Sequence, residues 1–152
     1  MAVSAMLGLL PALTRQSATS SDTLNALRLP DALAVELQRV ATVGGFDALA
    51  AQTKLLVSVV PETFRLVAPR NASRVQALSY QPPLAVDLIE GDSQYFLIEV
   101  WSFSDAPLAY EAGGAGLAMH VRVSWPYRLP GALAPTPLID RDQVTFNLAI
   151  NR

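Results

Sequence analysis

The 152-residue chain has no cysteine. Disulfides and thiolate metal sites are therefore excluded, although this leaves the compartment open, because exported proteins can also lack cysteine. Charged residues make up only 16%, against roughly a quarter in ordinary soluble domains. The 11 Lys and Arg are scattered, no basic run occurs, and the net charge is −2. The clustered basic face of a nucleic-acid binder is thus absent. The apolar run at the start, Met1 to Leu13, falls short of the ~20 residues of a spanning helix. No positive charge precedes it, so it also lacks the basic n-region of a signal peptide.

Half of the chain is hydrophobic, and its length suits one domain with a sizeable core. Residues 2–29 read as helix, with Pro11 inside it as a point of bending. LPD at 29–31 marks a break or restart, since Pro30 and Asp31 both suit a helix N-terminus. Leu33, Leu37 and Val40 then form an amphipathic stripe. Gly44-Gly45 ends that helix, and 46–52 reads as a further short one.

Beyond residue 53 the period changes from 3.6 to 2. Strands are expected at 54–60, 63–68, 75–80, 84–90, 94–103, 117–125 and 143–150. In the stretch LAMHVRVSW, Leu117, Met119, Val121, Val123 and Trp125 alternate with Ala118, His120, Arg122 and Ser124. The last three strands read as an antiparallel meander with one buried face. Helices first and sheet second make an α+β architecture.

This order resembles the type IV pilin-like proteins, in particular minor pilins, pseudopilins of type II secretion and related prepilin cassette proteins. The resemblance is carried by MAVSAMLGLLPALTRQSA (1–18), with Pro11 in the place of the family's helix proline. It is carried further by YFLIEVWSF (95–103), MHVRVSWPYR (119–128) and VTFNLAINR (144–152). It implies a long N-terminal helix packed on an antiparallel β-sheet head, with residues 1–29 as the membrane and filament segment and 30–152 as the globular head. The family's basic leader, Gly, aromatic residue and Thr-Leu-x-Glu run are absent from this start. Either the chain is not of the family, or it starts late by roughly a dozen residues. That number would complete the ~20 needed to span.

The residues themselves point to no catalytic chemistry. His120 is the only histidine and reads as structural or surface. Glu99 lies in the most apolar strand, and if buried it needs a partner such as Arg122. Asp87, Glu90 and Asp92 could offer oxygen ligands to calcium, which some pseudopilins bind in a late loop. EF-hand spacing is absent, and these residues read as solvated turns. No metal site and no cofactor are expected. The glycines of AGGAG (112–116) precede a strand and lack a following Lys-Ser/Thr, so they form a hairpin connection rather than a phosphate loop. Trp101, Trp125 and Tyr127 read as core rather than as an exposed platform.

The resemblance implies a structural subunit, not an enzyme. Its assembly helix would be carried by Val3, Met6, Leu7, Leu10, Pro11 and Leu13. Its expected partners are other pilin or pseudopilin subunits and the inner-membrane assembly machinery. Its expected location is the bacterial inner membrane and periplasm, then a periplasmic or extracellular filament. The competing expectation is a soluble β-rich binding or phage-like structural module that oligomerises through its N-terminal helix.

Overall fold

The computed structural model describes residues 20–54, 64–78, 94–132 and 134–152. Helix α1 covers 20–26, α2 Leu29–Gly44 and α3 Phe46–Thr53. The strands are β1 (Phe64–Ala68), β2 (Gln76–Ala77), β3 (Phe96–Ser102), β4 (Gly116–Trp125) and β5 (Asp142–Asn151). They form one antiparallel sheet in the order β2-β1-β3-β4-β5.

The expected long N-terminal helix packed on the sheet, the pilin-like fold, is corrected here. The described helical segment is short and bent, running from 20 to 44 with a turn at Leu27 and Arg28. The cause is Pro30. A helix running through it would lose one backbone hydrogen bond and drive the ring into the carbonyl of Ala26. The chain instead tightens, with Arg28 N–H bonding to Asn25 O at 3.1 Å, and restarts with Pro30 in the first turn of α2. There the missing N–H is one of the donors that no helix satisfies internally. Most of the helix expected over 2–29, and the whole proposed assembly set Val3, Met6, Leu7, Leu10, Pro11 and Leu13, lie outside the described residues. So do the strands expected at 54–60 and 84–90, apart from Lys54, and the carboxylates Asp87, Glu90 and Asp92.

A second bend separates α2 from α3. Gly45 has φ of 92° and donates its N–H to Ala41 O at 3.0 Å. A side chain in that conformation would be strained, so glycine is what lets α2 stop and α3 turn back. Among the described residues no helix is long and apolar enough to cross a membrane.

The helices cover one sheet face. Leu29, Leu33, Leu37 and Ala41 recur every fourth residue along α2 and are buried. They meet the inward residues of the strands, chiefly Leu66, Phe96, Ile98, Val100, Met119, Val121, Val123 and Trp125. Ala26 belongs to the same core. Trp125 is thus a core residue, whereas Tyr127 belongs to a small second cluster with Val67 and Leu97 on the other face. Trp101 is a correction to the core reading, because it lies half-buried on the face away from the helices.

Candidate functional site

The face of the sheet away from the helices carries most of its polar and cationic chemistry. Strand register alone arranges it in rows. Arg65 lies opposite Glu99, Glu99 opposite Arg122, and Arg122 opposite Thr145. In the next row Trp101 lies opposite His120, and His120 opposite Asn147. Alternation along each strand puts these side chains on one face, and antiparallel pairing sets them side by side.

Glu99 is only 5% exposed. Arg122 reaches it with Nε at 2.9 Å and Nη2 at 2.6 Å, both on Oε2. Arg65 Nε stands 3.6 Å from the other oxygen. Two guanidinium groups therefore flank one buried carboxylate, which leaves the cluster net positive. Arg122 also lies over the Trp101 ring, with Cζ 5.8 Å from its centre.

His120 is sandwiched rather than poised. Its ring centre is 3.8 Å from that of Phe103 and 5.9 Å from that of Trp101. Nδ1 is 2.8 Å from Asn147 Oδ1. Among the described residues no carboxylate is placed to orient this imidazole, so the pairing of base and orienter used in nucleophilic catalysis is not seen around it there.

At one end of the sheet, α3 and the connection from β3 to β4 enclose a cleft of about 420 Å³. Asp47, Lys54, Ser102, Phe103, Ser104 and Tyr110 are among its lining residues. Asp47 closes the cleft's rim as a latch. It accepts hydrogen bonds from the Tyr110 hydroxyl, from Gly113 N–H at 3.1 Å and from Arg152 Nη2 at 2.7 Å. Gly113 has φ of 81°, a backbone that glycine adopts without strain. Here the AGGAG connection holds an aspartate. These donors, the Tyr110 hydroxyl first, hold the Asp47 carboxyl down at about 2. It stays an anion across the neutral range and does not shuttle protons there.

That depression has a pH signature. The ordinary Asp47 value is 3.8 and the folded value about 2. The latch therefore stabilises the fold fully above the ordinary value, and its contribution is lost as pH falls from 3.8 towards 2. In an acid titration followed by circular dichroism, Asp47→Asn is expected to flatten the loss of stability across that window. Identical acid limbs in the two proteins would show that the latch does not hold Asp47.

A third cluster ties α1 to the sheet. Asp22, 5% exposed, accepts hydrogen bonds from Arg70 Nε at 2.8 Å and Nη2 at 3.0 Å and from the Tyr95 hydroxyl at 2.7 Å. Burial and the Asp22 carboxylate push the Tyr95 phenol well above its usual range. Among the described residues no group of three or more His, Asp or Glu is placed to hold a metal ion.

Of the residues singled out in the sequence, Glu99 and Arg122 thus face one another and His120 sits one row away. Sequence reasoning missed Asp22, Asp47, Arg65, Arg70, Tyr95, Tyr110 and Arg152. Asp47 had one readable signal, its place in the first turn of a short helix. The chain matches no protein-family model, and no curated protein or solved structure matches it significantly.

Proposed function

We propose that this protein is a structural subunit of a cell-envelope filament, a minor pilin or pseudopilin of a type IV pilus or type II secretion-like system. Its N-terminal apolar segment assembles, and its head serves as a contact surface. The observation that carries this reading is the part-buried Asp22–Arg70–Tyr95 cluster. It fastens the helix that follows the apolar run to the turn after β1 and to the start of β3. A subunit held by its N-terminal segment needs such a joint, because tension along that segment must reach the head without peeling the helix away. The run Met1 to Leu13 supports the same reading, since Val3, Met6, Leu7, Leu10 and Leu13 are apolar. In lipid such a segment is solvated by acyl chains, and in a filament neighbouring segments replace the lipid.

Membrane fractionation tests this. The full chain is expected in the membrane fraction and to be released by detergent. Leu10→Arg is expected to move most of it to the soluble fraction, because an arginine deep in the bilayer costs about 2.5–3.5 kcal/mol, on the order of a hundredfold in partitioning. A full chain that is soluble without detergent, or a variant that partitions like the parent, would sink the proposal.

The half-buried Trp101, His120 and Arg122 on the sheet face away from the helices, near a cleft, favour a second reading as a binding module. That reading expects the full chain in the soluble fraction.

A further inference from the structure

β5 is an edge strand, and its outer side is unpaired among the described residues. Arg152 N–H donates to Ala115 O at 2.8 Å, and the register with β4 runs unbroken from Trp125↔Asp142 to Gly116↔Asn151. In such a ladder alternate residues bond to the neighbouring strand. Even-numbered residues of β5 therefore face β4. Gln143, Thr145, Asn147, Ala149 and Asn151 point their N–H and C=O groups outward.

Natural edges are usually blunted by short strands, proline, lysine or bulges. This one is ten residues long, contains no proline or lysine, has no bulge and carries a single charge, Asp142. We infer that the outer edge of β5 pairs antiparallel with the same edge of a second copy of this chain, about a two-fold axis at Asn147.

Charge complementarity selects both occupant and register. With the axis at Asn147, Asp142 of each copy lies opposite Arg152 of the other, so two opposite-charge side-chain pairs form. Moving the axis by one residue to Phe146 puts Asp142 opposite Ile150, and moving it to Leu148 puts Arg152 opposite Val144. The Asn147 axis also pairs Phe146 with Leu148 and Val144 with Ile150, on the helix side of the joined sheet. Val144, Phe146 and Leu148 are only partly buried in a single copy. Arg152 is 45% exposed in its side chain while it holds Asp47, so it can take a second carboxylate. The contact is isologous and closes at two copies. It therefore differs from a filament contact and does not rest on the filament reading.

The absence of cysteine makes the register testable by cross-linking. Opposed residues of a hydrogen-bonded pair have Cα atoms about 5.5 Å apart, within the roughly 4.4–6.8 Å that a disulfide spans. In the full chain in mild detergent, Asn147→Cys is expected to link to itself under gentle oxidation, giving twice the 16.3 kDa of one chain. Gln143→Cys is not expected to link, because its two copies lie about 27 Å apart at ~3.4 Å per residue. Thr145→Pro removes an outward N–H and leaves the β4 ladder intact. It is expected to weaken self-association at least tenfold while each chain keeps its native circular dichroism, and Asn147→Lys, which also gives up the contact to His120, is expected to weaken it by setting like charges face to face. A parent of single-chain mass overturns the inference. So does equal linking at positions 143 and 147, or a dimer that survives both edge variants, which would place association elsewhere, such as the apolar segment.

Discussion

Phe96→Ala is expected to cost about 3–5 kcal/mol of unfolding free energy, the usual range for deleting a buried aromatic ring. Phe96 is fully buried at the start of β3. Its ring packs edge-on against Trp125 with centres 5.7 Å apart, and against Tyr95 at 5.1 Å. It thus joins two neighbouring strands to the layer beneath α2. Urea unfolding followed by tryptophan emission measures the loss, since Trp125 lies beside the vacated space. A loss below about 1 kcal/mol would be too small for a large core side chain. It would show that the helices do not cover this face as described.

The second large effect is electrostatic. Arg122→Met keeps the aliphatic stem and removes the charge, stranding a carboxylate that is 5% exposed. Breaking a fully buried pair costs about 3–5 kcal/mol. Arg122 retains a third of its side-chain exposure and Arg65 remains 3.6 Å from the carboxylate, so about 2–3 kcal/mol is expected here. The double variant Glu99→Gln with Arg122→Met is expected to recover at least half of that loss, because the buried group is then neutral. If Glu99→Gln adds to the damage instead, Glu99 is stabilised by groups other than Arg122, with Arg65 the first candidate.

These two residues differ in how legible they were. Phe96 lies in QYFLIEVWSF, whose aromatic and β-branched content announces a strand. Glu99 stands out there as the single acid, and alternation in LAMHVRVSW offers Arg122 as a cation on the less apolar face. Arg65 could not be named, because alternation reports which face a residue takes and not which strand lies beside it. Asp22 with Tyr95 spans 73 residues and Asp47 with Arg152 spans 105. No local period reaches that far. The bend in the described helical segment had a local cause, Pro30.

The sequence by itself determined the restart at Pro30 and the stop at Gly45. It also determined the inward residues of β4. Each of these depends on backbone sterics or on a short period of polarity, and both are local. Tertiary structure alone decided the strand order β2-β1-β3-β4-β5. It decided the two arginines around Glu99, the latch at Asp47 and the exposed edge of β5. Each of those depends on which distant segments become neighbours when the core closes, and that is settled by packing of the whole chain.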